Sequence, residues 1–205
     1  MSAANLSALV QRFFADRLCV QMEASRNTVA SYRDTFRLLL RYASARHGKA
    51  PVKLTIEDID ADVVADFLVH AETVRGNSAR SRNTRLAAIR SFFRYVAMSD
   101  PAWLLHCQRI LAMPSKRYVK RTVTFLDGEE IAALLAAPDH STWAGRRDHA
   151  LLLLAVQTGL RASELVGLRC GDVVLGSGAN IRCMGKGRKE RATPLRRETA
   201  RLLAA

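Results

Sequence analysis

Two short stretches of the chain combine glycine turns with cations that could hold an anion. The first, 158–165 (TGLRASEL), has a glycine that suits a helix C-terminus and an arginine, Arg161, that opens the next short helix. The second, 185–191 (GKGRKER), is typical of a tight turn between strands, with Lys186 at its tip. A fixed guanidinium and a mobile ammonium brought to one place suit an oxyanion or a phosphate. The sequence therefore predicts an anion site built from Arg161 and Lys186.

Each of these residues also has a purely structural explanation. Arg161 could cap a helix or form an ion pair, although a glycine-turn arginine beside a buried apolar segment fits that explanation less well. Lys189 competes with Lys186 for the role in the loop, because most loop lysines are only solvated. The residues alone leave the choice of lysine open.

The charge balance names the class of partner. Lys and Arg number 32 and Asp and Glu number 19, which gives a formal net charge of +13, shared between both halves of the chain. Such an excess indicates a polyanionic partner, most often nucleic acid. We expect double-stranded DNA.

The remaining composition excludes several other classes of protein. No apolar run is long enough for a membrane span, and the N-terminus lacks the pattern of a secretory signal, so we expect no membrane partner and a cytoplasmic location. The four cysteines are far apart in sequence and form no C-x-x-C pair (Cys19, Cys107, Cys170 and Cys183). We therefore expect free thiols, no metal site and no cofactor.

Apolar periodicity predicts a helical first half. Three of the predicted helices cover 3–20, 61–75 and 79–98. Another predicted helix begins after the capping residues 25–28. The stretch 113–121 (MPSKRYVKR) is predicted to be a basic linker, because it has a proline, few apolar residues and four cations. The predicted division is a helical domain at 1–101, a linker at 102–120 and a second domain at 121–205.

The segment between Val74 and Ser99 is the most basic part of the helical half. It has six arginines and no acidic residue. Cations and an amide that share one flank of the predicted helix are the candidates for DNA contact, together with two linker residues: Arg80, Asn83, Arg90, Arg94, Lys116 and Arg117. A basic solvent-exposed face is the alternative, but such a face normally has acids interspersed. We therefore favour DNA contact.

The second half mixes helices with short strands. Residues 148–157 could be a buried strand, but the glycine that follows favours a buried helix. Three strands are predicted at 172–175, 180–184 and 190–195, followed by a helix from Arg197.

The two opening motifs, taken with their surroundings, resemble the tyrosine recombinases, also called phage-type integrases. The specific part is 157–169 (QTGLRASELVGLR) with Asp172 and Val173, followed by 185–195 (GKGRKERATPL). The resemblance implies a mainly α fold, in which a helical SAM-like core-binding domain precedes an α+β catalytic domain with a small antiparallel β-sheet.

The resemblance also implies a reaction. Members of that family integrate and recombine DNA by metal-free phosphoryl transfer to a tyrosine. Arg161 matches the first catalytic arginine, which binds phosphate oxygens, and Lys186 matches the lysine that protonates the leaving oxygen. Glu164 would orient its surroundings rather than react. Arg188, Lys189 and Arg191 would help to position the phosphate, and a homo-oligomer would form on paired recombination sites.

The sequence departs from the family pattern after this point. The family's His-x-x-Arg pair and nucleophilic tyrosine are missing, since Tyr118 is the last tyrosine and His149 the last histidine. We therefore expect a C-terminally truncated recombinase that is inactive alone. The alternatives are a non-catalytic DNA-binding regulator or remnant of a recombinase and, with less support, an unrelated nucleic-acid-binding module.

Overall fold

The structure is a computed structural model that describes residues 6–120, 122–185 and 189–204. The chain divides into two compact units, Met1–Arg121 and Thr122–Ala205. They are called the helical unit and the mixed unit below, and each is described by itself.

The described residues of the helical unit form five α-helices: α1 (Leu6–Arg12), α2 (Arg26–His47), α3 (Ala61–Thr73), α4 (Ala79–Ser99) and α5 (Leu104–Leu111). Short 3-10 turns lie at Pro51–Lys53 and Pro101–Trp103. The two longest helices begin with serine caps, because Ser25 and Ser78 each accept the backbone N–H three residues on at 3.2 Å. The periodicity of the sequence and these caps together fix where α2 and α4 start.

The first predicted helix is regular only over α1. A π-helix, Phe13–Gln21, follows it directly. Phe13 and Leu18 lie five residues apart and are both fully buried. An i to i+5 turn brings such a pair onto one face more closely than an α-helical turn does.

The core of the helical unit is aromatic at its centre. The ring centroids of Phe36 on α2 and Phe92 on α4 lie 5.1 Å apart, and Phe13 contacts Phe92 at 5.4 Å. Edge-to-face packing of this kind adds to the free energy gained from apolar burial. The core therefore fixes α2 against α4, the two helices that carry most of the unit's exposed arginines.

Part of the stretch 102–120, predicted as a linker, is helical. Residues 104–111 are α5, whose Cys107 and Ile110 are fully buried in the core of the helical unit. The apolar residues of this stretch already indicate a short helix in the sequence, and burial of Cys107 and Ile110 stabilises it.

In the mixed unit, the part of the chain that the structure describes forms four α-helices and one sheet. The helices are α6 (Gly128–Ala136), α7 (Trp143–Thr158), α8 (Ala162–Leu165) and α9 (Arg197–Ala204), with a 3-10 turn at Cys170–Asp172. The strands β1 (Val173–Val174), β2 (Asn180–Met184) and β3 (Glu190–Pro194) form an antiparallel sheet in the order β1-β2-β3. The predicted fold class, mainly α with a small antiparallel sheet, is confirmed.

A small core joins α7 to the sheet. Its buried side chains are Leu154, Leu160, Ile181 and Cys183. The predicted buried segment 150–156 is helical, as favoured, but Leu154 is its only buried side chain and Val156 is 42% exposed. Among the described residues of both units, no helix has the length and apolar character to cross a membrane.

Candidate phosphate site and basic surface

A sharp reversal after α7 places Arg161. Gly159 has a φ of 60°, in the left-handed region that glycine adopts without strain, and its N–H donates to the Ala155 carbonyl at 3.0 Å. Leu160 then enters the small core at 7% exposure. The arginine that follows is consequently held at the start of α8 with its side chain 60% exposed.

The carboxylate of Glu164 is the centre of the site. One oxygen, Oε2, accepts the backbone N–H of Arg161 at 2.8 Å, and the other, Oε1, accepts Nη1 of the same arginine at 2.8 Å. Nη2 of Arg191 donates to Oε2 at 2.9 Å. The Glu164 side chain is 8% exposed, while Arg191 is 42% exposed. One buried carboxylate thus holds two exposed guanidinium groups.

The charge state of Glu164 follows from these contacts. The backbone N–H of Arg161 lowers the pKa of Glu164, and the guanidinium groups of Arg161 and Arg191 lower it further, against the opposing effect of desolvation. The carboxylate is therefore ionised at neutral pH and stays bound to both arginines.

The register of the β2–β3 hairpin aims Arg191 at Glu164. Cys183 and Arg191 are cross-strand partners, so their side chains lie on the same face of the sheet. Nε of Arg191 lies 3.2 Å from Sγ of Cys183, which is 8% exposed. No pattern in the sequence indicates that this cysteine lies beside the site.

The base of the hairpin also lies against Glu164. The N–H of Gly185 donates to the Lys189 carbonyl at 2.8 Å and closes the turn. A Cβ at Gly185 would lie 3.3 Å from that carbonyl and 3.9 Å from Oε1 of Glu164. Lys186 and Arg188 lie outside the described residues. Glu164 therefore connects Arg161 to the described ends of the β2–β3 hairpin, at Gly185 and Arg191.

The predicted DNA-contacting residues of the helical unit fall into two groups. Arg80, Arg94 and Arg117 are exposed. Asn83 binds the main chain of Lys116, and Nη1 of the half-buried Arg90 lies 3.5 Å from Oγ of Ser115. The second group contacts the protein itself.

Two further arginines of α4 pair with acids from other helices. Nη1 of Arg85 lies 3.0 Å from Oδ2 of Asp34 on α2, and Nε of Arg82 lies 3.6 Å from Oε2 of Glu72 on α3. Both arginine side chains are only about 15% exposed (15% and 14%). The acids missing from the α4 sequence are thus supplied by neighbouring helices.

Comparison with known proteins agrees with this architecture. The profile of the Phage integrase family matches residues 124–205, and that of the phage integrase N-terminal SAM-like domain matches residues 10–99. The chain belongs to the phage integrase family of site-specific tyrosine recombinases.

Two relatives come from Sinorhizobium fredii (strain NBRC 101917 / NGR234). The putative integrase/recombinase y4rC is 53% identical over 200 residues, which cover 98% of this chain and 60% of that protein. The putative integrase/recombinase y4rD is 41% identical over 201 residues, which cover 98% of this chain and 72% of that protein. The chain thus spans roughly two thirds of the length of these curated relatives.

A solved structure shares the fold. The XerH site-specific recombinase, in a post-cleavage complex with its palindromic difH substrate, superposes with a TM-score of 0.63 at 22% identity. The match covers 89% of this chain and 52% of that one.

Proposed function

We propose that this chain binds duplex DNA through its basic surfaces and holds one DNA phosphate at Arg161, as part of site-specific recombination. The observation that carries the proposal is the pair of exposed guanidinium groups, Arg161 and Arg191, that the buried Glu164 carboxylate holds in place. Membership of the phage integrase family supports the same function.

The chemistry of phosphoryl transfer explains the arrangement of the site. The reaction needs cations at the non-bridging phosphate oxygens, fixed before the substrate arrives. Arg161 engages Glu164 through Nη1 and through its own backbone N–H, which holds the base of its side chain while the side chain remains 60% exposed. A guanidinium held in this way can bind two phosphate oxygens with little loss of conformational entropy.

The hairpin supplies the second cation in this proposal. Lys186 is assigned the protonation of the leaving oxygen, for which a flexible ammonium group is suited, and Lys189 is the neighbouring alternative. Arg188 and Arg191 would bind adjacent phosphates. The mixed unit contains no tyrosine in its sequence, so this chain is proposed to hold the phosphate and not to attack it.

The helical unit contributes affinity for the DNA backbone. The net charge of +13 and the exposed Arg80, Arg94 and Arg117 favour phosphate contacts that release counterions. Because recombination joins two sites, we also propose that copies of the protein meet on paired DNA sites.

Fluorescence anisotropy with a labelled 30-base-pair duplex tests DNA binding. We expect the logarithm of the binding constant to fall linearly with the logarithm of salt concentration, with a slope of several units at about 0.9 per phosphate. Binding that is absent, or insensitive to salt, would refute the proposal.

Two variants of equal charge test the phosphate site. R161A should weaken binding to a duplex several-fold more than R169A, because Arg169 is an exposed arginine of the same unit outside the Glu164 cluster. Equal losses would mean that Arg161 contributes only net charge. A nicked suicide substrate should give no covalent adduct, and an adduct abolished by Y118F would contradict the assignment of the missing nucleophile.

A further inference from the structure

A four-residue segment that starts just after the C-cap of α5 lies across the surface of α4. This docked segment, residues 113–116, begins with Met113, which packs half-buried against the core of the helical unit. Ser115 then lies beside Arg90, and Lys116 beside Asn83, seven residues closer to the start of α4. The segment therefore runs back along α4 toward its N-terminal turns.

The side chain of Asn83 holds the end of the segment by its main chain. Nδ2 of Asn83 donates to the carbonyl of Lys116 at 2.7 Å, and the N–H of Lys116 donates to Oδ1 of Asn83 at 2.9 Å. The amide thus binds both polar groups of one residue, as a neighbouring β-strand would. This contact, called the Asn83 clasp below, does not depend on the type of side chain at position 116.

An ion pair adds to the clasp. Nζ of Lys116 donates to Oε1 of Glu72 at 2.9 Å, and the Glu72 side chain is 18% exposed. Arg82 lies 3.6 Å from the other oxygen of the same carboxylate. The Lys116 ammonium is consequently neutralised by the protein itself, whereas neither Arg117 nor Lys120 forms an ion pair with another described residue.

The next residues along the chain are exposed from Arg117 to Lys120. Arg117 is joined directly to the residue that the clasp fixes. Arg80 lies three residues before Asn83 on α4, one helical turn away on the same side. The clasp therefore brings the start of a basic segment next to an exposed arginine of a different element.

We propose that Asn83 is a positioning residue, which fixes the docked segment so that Arg117 and Arg80 form one composite surface for a polyanion. The sequence predicted that Asn83 would contact DNA directly. The geometry assigns the DNA contacts to the two arginines and gives Asn83 the task of holding one of them in place. The composite surface rests on the proposed DNA partner, whereas the clasp itself does not.

Hydrogen exchange at the Lys116 amide tests the clasp without DNA. N83A removes both hydrogen bonds. It should raise the exchange rate of the Lys116 amide about tenfold or more, and the rate of tryptic cleavage after Lys116 and Arg117 by a similar factor. N83D keeps an acceptor for the Lys116 N–H but replaces the donor by an oxygen that faces the Lys116 carbonyl, so it should restore only part of that protection. T84A, the exposed neighbour whose hydroxyl binds only the carbonyl four residues back, is the matched control and should change neither rate.

Unchanged exchange and cleavage in N83A, with its helical circular dichroism intact, would refute the clasp. K116A sharpens the test, because it removes the ion pair to Glu72 and leaves the main-chain bonds in place. Its effect on cleavage after Arg117 should be several-fold smaller than that of N83A, and an equal or larger effect would mean that the ion pair holds the segment.

Salt-dependent anisotropy with the same duplex tests the composite surface. N83A should weaken binding about three- to tenfold and lower the salt slope by about one, because a disordered Arg117 no longer contacts its phosphate. R117A should have the same effect. The double variant that combines R117A with N83A should bind the duplex as tightly as R117A alone. Additive losses, or weaker binding in N83A with the Lys116 amide still protected, would show that Asn83 touches DNA itself and would overturn the proposal. If the unmodified chain binds no DNA, the proposed function fails and the composite surface with it, while the exchange data still decide the clasp.

Discussion

Replacing Arg85 with alanine should destabilise the helical unit, whereas replacing Arg80 should leave its stability unchanged and weaken DNA binding. Both arginines lie on α4, and only Arg80 lies on the helix flank that the sequence predicts to contact DNA. In the structure, Nη1 of Arg85 lies 3.0 Å from Oδ2 of Asp34, and Nε lies 3.1 Å from Oδ1 of Asn77. The exposed Arg80 has no comparable side-chain contact among the described residues.

The magnitude follows from these contacts. A hydrogen bond to a charged group contributes about 1.5–3 kcal/mol, which applies to the bond between Arg85 and Asn77. The ion pair with Asp34 contributes only about 0.5–1 kcal/mol, because Asp34 is 41% exposed and solvent screens it. R85A should therefore cost about 2–4 kcal/mol, while R80A should stay within about 0.5 kcal/mol of the unmodified chain.

Urea unfolding, followed by tryptophan fluorescence, measures this difference in stability for the helical unit alone. Trp103 packs against the core of the helical unit, and Trp143 of the mixed unit is 69% exposed, so a W143F background leaves Trp103 as the only reporter. With a slope of about 1–3 kcal/mol per molar urea, R85A should lower the midpoint by about 1 M or more. R80A should not move it.

The ion-pair part of the effect depends on pH. The hydrogen bond from Arg85 is the largest cause that lowers the pKa of Asp34 in the folded state. This stabilisation is present above the ordinary aspartate pKa of about 3.9 and is lost as the pH falls through the lower folded value. The gap between R85A and the unmodified chain should therefore narrow in strongly acidic buffer. A midpoint unchanged in R85A at neutral pH, together with weaker DNA binding, would refute the division between structural and DNA-facing arginines.

Two further predictions concern stability. G145A should destabilise the mixed unit by about 1–3 kcal/mol or more, because the added Cβ would clash with the main-chain oxygen of Asp139. Thermal unfolding followed by circular dichroism checks this. The control is G128A, whose added Cβ meets nothing within 4 Å and whose melting should not change. Equal melting of G145A and G128A would contradict the close approach. D58N should cost the helical unit about 1–2 kcal/mol at neutral pH, because it removes the charge that binds Lys49 at 2.6 Å. Burial opposes ionisation of Asp58, but the hydrogen bonds from Lys49 and Thr55 together outweigh it and lower the pKa. The difference should therefore vanish as the pH falls through that folded value, and a pH-independent difference would count against the ion pair.

The site was partly predictable because its chemistry is local. Gly159 and Arg161 lie two residues apart in one turn, and the pairing of Arg161 with Glu164 spans a single turn of helix. Such contacts depend on short-range backbone geometry, which residue types and spacing predict well. The contact between Glu164 and Arg191 joins residues 27 apart in sequence, and it required the register of β2 and β3.

The basic surface was less predictable because charge is neutralised across helices. The sequence from Val74 to Ser99, which includes α4, has six arginines and no acidic residue. The sequence could not show that Arg85 would form an ion pair with Asp34, which lies 51 residues earlier in the chain. The same holds for Asn83, whose partner Lys116 follows 33 residues later.

The sequence by itself determined the helical periodicity, the glycine turn at Arg161, the hairpin that contains Lys186 and the excess of positive charge. These properties depend on residue type and on neighbours within a few positions. Only the tertiary structure decided which cations face solvent and which are neutralised within the protein. Electrostatic pairing acts over a few ångströms of space, and packing brings together groups that are remote along the chain.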